Sequence, residues 1–381
     1  MRARDLGIVI GQGRPGPLNA ITDVGGVRVG HTTLVRGDGR LMVGEGPVRT
    51  GVTVIVPRDG DIWRQPLFAG CHTLNGNGEL TGLEWVRESG LLTSPIAITN
   101  THSVGVVRDA LVAHAARAHE PDASYWSLPV VGETYDGTLN DINGFHVKAE
   151  HLDAALESAA PGPVDEGAVG GGTGMICHEF KGGIGTASRV VDAEAGGWTV
   201  GVLVQANYGR RSLLTVDGVP VGREIPTSVV PSPYDERRRP HPAQDRAGAG
   251  SIIVVVATDA PLLPHQCDRL AQRAGLGLAR TGGYGMTSSG DLFICFATGN
   301  RGLPPAEIGF DDPVVTGLSA VIDQALDGLF EAAVEATEEA IVNALVAAQT
   351  TVGRDGITAH ALPHDRLIEA MSRYGRLAAP A

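Results

Sequence analysis

The stretch that most constrains this chain is the junction at Gly250-Ser251. Before it, residues 231–250 (PSPYDERRRPHPAQDRAGAG) are charged, Pro-rich and poor in apolar side chains. After it, SIIVVVATDAPL is a β-branched run that predicts a buried strand. A flexible linker over 232–250 thus ends in Gly-Ala-Gly and hands over directly to a core strand that opens with serine. If the bond before Ser251 breaks, that residue becomes N-terminal, with its α-amine beside its own hydroxyl. The pattern points to a self-cleaving amide hydrolase, while the dipeptide alone reads equally as the start of a strand.

The chemistry favours this residue pair. Glycine admits backbone angles closed to other residues and leaves its carbonyl uncrowded for attack by the serine hydroxyl. An α-amine titrates at roughly 7.7–8.0, so at neutral pH it can take the proton of its own hydroxyl.

The remaining pattern is of short apolar strands between Gly-rich turns. Strands are predicted over 27–34, 51–57, 94–101, 198–209, 252–260 and 291–300. Helices are predicted over 82–92, 104–119 and 264–281. A long, Ala-rich, amphipathic helical region follows over 317–349, with a break near Gly328. Strands and helices do not alternate strictly, which disfavours a doubly wound sheet and favours two stacked sheets with helices outside.

Formal net charge is −13, which argues against nucleic-acid or anionic-membrane partners. Arg237, Arg238 and Arg239 sit in the polar linker and read as solvated charge. No apolar run approaches the ~20 residues of a membrane span, and no secretory signal is visible. Cys71, Cys177, Cys267 and Cys295 lack metal-ligand spacing and read as reduced thiols of a cytoplasmic protein. The histidines, His360 and His364 included, show no metal spacing either, so neither metal nor cofactor is expected.

Four further regions carry candidate chemistry. TSSGDLFICFATGN places Ser288, Ser289 and Asp291 before a core strand, where residues two apart project to one face. VLVQANYG ends a strand with Asn207, whose amide suits an oxyanion donor. Glu133, Tyr135, Asn77 and Glu79 lie in polar, Gly-rich stretches and could bind a substrate ammonium. Gly170–Gly174 lacks the Lys-Ser/Thr of a nucleotide loop and reads as a pocket lining. Each of these alone reads equally as turn or loop structure.

Together and in order, these stretches resemble the L-aminopeptidase/D-esterase family, which includes the β-peptidyl aminopeptidases. The resemblance rests on RARDLGI, GPLNAITDVGGVRVGHTTL, NGNGELTG, GETYDGTLNDING, GGGTGM, VQANYG, GAGSIIVVVATDAPL, TSSGDLFICFATGN and VGRDGITAHALPHDRL, spread over essentially the whole chain. It implies one domain with a four-layer α/β/β/α sandwich, similar to N-terminal nucleophile hydrolases but with different connectivity. It also implies self-cleavage into residues 1–250 and 251–381. Ser251 is then the nucleophile, Ser289 and Asp291 its supporting pair (the acidic position is Glu in some members), and Asn207 an oxyanion donor. Glu133 and Tyr135 fall where such proteins form the substrate pocket. The family uses no metal and assembles as homotetramers or larger. The expected activity is removal of an N-terminal residue from small peptides, amides or esters. The alternatives are an acyltransferase of the ornithine acetyltransferase type, which uses threonine as nucleophile, and a catalytically silent small-molecule binding protein.

Overall fold

Two sheets carry the fold in a computed structural model that describes residues 1–119, 125–234, 248–305 and 315–378. The smaller runs in the order β1 (Arg28–Arg36), β2 (Val48–Val56), β5 (Ile96–Asn100), β6 (Val130–Thr134). The larger runs β4 (Leu91–Leu92), β3 (Leu67–Gly76), β12 (Gly290–Ala297), β11 (Gly248–Thr258), β10 (Thr199–Gly209), β9 (Gly183–Val190). Ile55, Ile98 and Val130 of the first sheet share one core with Leu203, Ile253, Val255 and Phe296 of the second. Helices α2 (Val104–Ala118) and α3 (Ala149–Glu157) cover the outer face of the smaller sheet. Helices α5 (Pro264–Arg280) and α6 (Asp327–Ala347) cover the larger one. The result is the expected α/β/β/α order. Shorter helices complete the chain: α1 (Leu83–Ser89) beside β3, and α4 (Val221–Glu224) against α7 (His364–Arg373).

Strand β11 is central, antiparallel to β10 and parallel to β12. Its alternation sends Ile252, Val254 and Val256 to the helices, and Ile253, Val255 and Ala257 to the other sheet. Burial on both faces is why the run is apolar without interruption. The parallel pair needs a crossover, and α5 supplies it.

Several sequence expectations are corrected. Helix α6 is buried almost all round rather than amphipathic, and Glu335, Glu338 and Glu339 lie inside with its alanines. It comes so close to β9 that a Cβ on Gly185 would stand 1.9 Å from Ala340 O. The region before Asp327 is not a continuous helix. Asn300 exchanges two 3.0 Å hydrogen bonds with the backbone of Ser319, and Gln266 Nε2 donates to Val321 O at 2.7 Å. Side chains thus satisfy polar groups that a helix would otherwise pair. The helix expected over 82–92 stops at Ser89, where Gly90 adopts φ 71° and caps it. Leu91 and Leu92 then pair with β3. CHTLNGNGELTG, read as a loop, begins within β3, whose outer half is polar because it is exposed. Gly248–Gly250, expected at the end of the linker, belong to β11. The arginines at 237–239 lie outside the described residues.

Candidate active site

The site begins with an irregularity between β10 and β11. Asn207 stands opposite Ser251, yet Gly209 stands opposite Gly248. Two residues of β11, Ala249 and Gly250, therefore face Tyr208 alone, which is a β-bulge. Gly250 has φ 154°, and a Cβ there would lie 1.9 Å from Asn207 O. Only glycine fits immediately before Ser251. Ser251 is 5% exposed, and its Oγ accepts a 3.0 Å hydrogen bond from Gly290 N–H.

Gly290 lies between Ser289 and Asp291, and both side chains are buried. Ser289 Oγ donates to Asp291 Oδ1 at 2.6 Å. Burial pushes the Asp291 carboxyl up to about 6, against the pull of the Ser289 hydroxyl and the Ile252 N–H. Asp291 pairs in register with Ile252, one residue beyond Ser251. The pair borders a small cavity of about 10 Å³ with Tyr208 and Met286, whereas Ser251 opens on a different space.

That space is a cleft of about 770 Å³ lined by Asn77, Glu79, Glu133, Tyr135, Asn207, Gly250 and Ser251, among others. The pocket residues expected from sequence therefore converge with the serine on one cleft. Glu133, on β6, is buried, and both its oxygens are held. Glu79 N–H donates to Oε1 at 3.0 Å, and the Thr101 hydroxyl donates to Oε2. Burial pushes its carboxyl above the usual range more than these hydrogen bonds lower it. No arginine or lysine lines the cleft among the described residues. Glu79 is exposed and Tyr135 half-buried at its edge. Asn77 contributes structurally: its Nδ2 donates to Ser288 O at 2.8 Å and its N–H to Ser289 O at 3.2 Å. With Asn75, which donates to Met286 O, it ties the end of β3 to the loop that carries Ser289.

Asn207 is oriented from two sides. Its Nδ2 donates to Tyr135 O at 3.0 Å, and its Oδ1 accepts from Ile176 N–H at 2.8 Å. Ile176 opens a tight hairpin of β7 (Ile176–Cys177) and β8 (Phe180–Lys181). His178 and Glu179 form its turn at φ 48° and 62°. His178 N–H also donates to Tyr208 O at 2.6 Å, so the hairpin grips the bulged stretch of β10. One N–H of the Asn207 amide is not used by Tyr135.

Sequence reading missed Thr101, Gly290, Ile176 and Tyr234. Tyr234 lines the cleft and packs beside Leu139 and Ile176. Three of the four act through backbone atoms or common side chains and leave no motif, while an aromatic inside a polar linker is a usable signal. All four cysteines are buried free thiols, and no group of three His, Cys, Asp or Glu among the described residues could hold a metal. No helix among them is long and apolar enough to cross a membrane.

Comparison with known proteins agrees with this arrangement. The family model described as peptidase family S58 matches residues 19–359. The chain is 52% identical over 379 residues to a beta-peptidyl aminopeptidase BapA from Sphingosinicella microcystinivorans, covering 99% of this chain and 93% of that one. A solved beta-aminopeptidase from Burkholderia sp. superposes with a TM-score of 0.90 at 58% identity, covering 98% of this chain and 99% of that one. The L-aminopeptidase D-Ala-esterase/amidase from Ochrobactrum anthropi, described as a prototype serine aminopeptidase and a new variant of the N-terminal nucleophile hydrolase fold, superposes at 0.86 with 44% identity, covering 99% of each chain. With its sandwich, its cleft and these relatives spanning nearly its whole length, the chain belongs to peptidase family S58 and is an aminopeptidase.

Proposed function

We propose that the chain cuts itself between Gly250 and Ser251, and that Ser251 then removes β-aminoacyl residues from the N-termini of small peptides, amides and esters. The observation that carries this is the convergence of Ser251, Asn207 and Glu133 on one cleft. Cleavage begins when Ser251 Oγ attacks the Gly250 carbonyl; the C–N bond breaks, so the acyl group passes from nitrogen to oxygen and the protonated α-amine is freed, and water then hydrolyses the ester to the Gly250 carboxylate and the free Ser251 hydroxyl. In turnover that amine takes the hydroxyl proton while Oγ attacks the substrate carbonyl. The Ser289–Asp291 pair, beside Ile252 N–H, is placed to orient the amine. The remaining Asn207 N–H stabilises the oxyanion. The leaving amine departs protonated, and water releases the acyl group. Glu133 is a buried carboxylate with His102 near it but no arginine or lysine in the cleft among the described residues, and the substrate ammonium is the cation that completes it. Glu79 extends the same negative rim.

The β-aminoacyl preference follows the names of the relatives at 52% and 58% identity. Family resemblance also supports a homo-oligomer of four or more copies. The four buried thiols support a cytoplasmic location. Denaturing gels test the central step: wild type gives two fragments, of residues 1–250 and 251–381, and Ser251→Ala gives one inactive chain. Hydrolysis of an aminoacyl p-nitroanilide by Ser251→Ala would overturn the nucleophile. A panel of L-Ala, D-Ala and β-Ala p-nitroanilides tests the preference, and light scattering the assembly.

A further inference from the structure

Lys181 is fully buried, and the catalytic scheme does not use it. Its Nζ donates to Gly172 O at 3.1 Å, Met175 O at 2.8 Å and Gly182 O at 2.7 Å. The three donors of an ammonium thus meet three carbonyls, with no carboxylate partner among the described residues. A cation so placed is costly to desolvate, and burial pulls its pKa down to about 7. The chain otherwise builds with arginine, since Lys148 and Lys181 are its two lysines among 30 lysines and arginines. Arginines serve at other buried cation sites among the described residues: Arg49, Arg58, Arg189 and Arg211. A compact ammonium suits three carbonyls converging from a tight loop in a way that a planar guanidinium does not.

What those carbonyls control is specific. Met175 O, held by Lys181 Nζ and also by Gly182 N–H at 2.9 Å, and Ile176 N–H, held by Asn207 Oδ1, belong to one peptide group. That group is planar, so fixing its oxygen fixes the direction of its N–H. With Oδ1 engaged, the Asn207 amide cannot turn over, and its NH2 stays toward Tyr135 O and the cleft. We propose that Lys181 is a positioning residue for Asn207, acting through the Met175–Ile176 peptide to keep the amide donor aimed at the oxyanion. This rests on the reading of Asn207 as oxyanion donor.

The test is a double-mutant cycle on the full chain, with self-cleavage followed on gels and turnover followed on β-alanyl p-nitroanilide. Lys181→Met slows self-cleavage and lowers kcat about 10- to 100-fold, with KM changed less than about twofold, because misplaced groups cost transition-state rather than ground-state binding. In an Asn207→Ala background, adding Lys181→Met costs nothing further, because the group it positions is gone. A purely structural lysine would instead lower the rate equally in both backgrounds, and that additivity overturns the inference. So does a folded Lys181→Met with wild-type kcat. If circular dichroism shows Lys181→Met to be unfolded, Lys181→Gln is read in the same cycle by the same criteria. Ser251→Ala separates the two levels: activity there removes the parent reading, whereas an inactive Ser251→Ala beside a fully active Lys181→Met removes only the role of Lys181.

Discussion

Two sets of buried carboxylates in this molecule behave in opposite ways. Glu335 and Glu339, on α6, are matched by arginine: Arg189 reaches them at 2.9 and 2.6 Å, and Arg4 reaches Glu339 at 2.7 Å. Burial alone would raise the Glu339 carboxyl, yet the Arg4 hydrogen bond and the charges of Arg189 and Arg4 bring it below its ordinary value. Glu133 and Asp291 are as deeply buried, have no arginine or lysine partner among the described residues, and are shifted upward. The first set ties the N-terminal segment to α6 and is scaffold. The second set lies at or beside Ser251; in the proposed mechanism one member serves the substrate ammonium and the other the new α-ammonium. On that proposal, a buried carboxylate without an arginine or lysine marks a position where chemistry brings a cation.

The contrast can be broken by substitution. The largest effect is expected from Arg189→Met, which strands Glu335 and part of Glu339 and should cost about 3–5 kcal/mol in denaturant unfolding. It is measured in the Ser251→Ala chain so that cleavage does not intervene. Next is the pH dependence of Asp291. Its folded value near 6 stands above its ordinary 3.8, so the folded state holds the proton more tightly. Its contribution is therefore most favourable at low pH and declines as pH rises from about 4 to about 6, by about 3 kcal/mol. In the Ser251→Ala chain, Asp291→Asn should remove that decline, and identical pH slopes with and without the substitution would contradict the assignment. Glu133→Gln comes third: kcat/KM for β-alanyl p-nitroanilide should fall about 100-fold, while stability holds or rises because an uncompensated charge is gone. A loss of stability like that of Arg189→Met would place Glu133 with the scaffold. Smallest is the control Arg366→Ala, at a half-exposed pair with Glu369, expected to change stability by less than about 1 kcal/mol.

Legibility followed burial. Strands β10, β11 and β12 were readable because both faces are buried, which leaves an unbroken apolar run with one interpretation. Strand β3 was not, since Asn75 and Gly76 leave the core and carry turn-like composition. The region before α6 misled because its apolar spacing suits a helix while Asn300 and Gln266 take its backbone groups. At the site, Ser251, Ser289, Asp291, Asn207 and Glu133 were all nameable from residue type and motif. Thr101 and the Met175–Ile176 peptide were not, because a backbone group has no sequence identity and a threonine is common everywhere.

Sequence by itself therefore determined the four-layer class, the family and the residue types of the chemistry. Each depends on local composition, alternation and order along the chain. The tertiary structure decided which buried carboxylates lack an arginine or lysine, which peptide N–H meets the Asn207 amide oxygen, and why only glycine can precede Ser251. Those properties depend on distances of a few ångströms between segments far apart in the chain, and such distances exist only once the two sheets have packed.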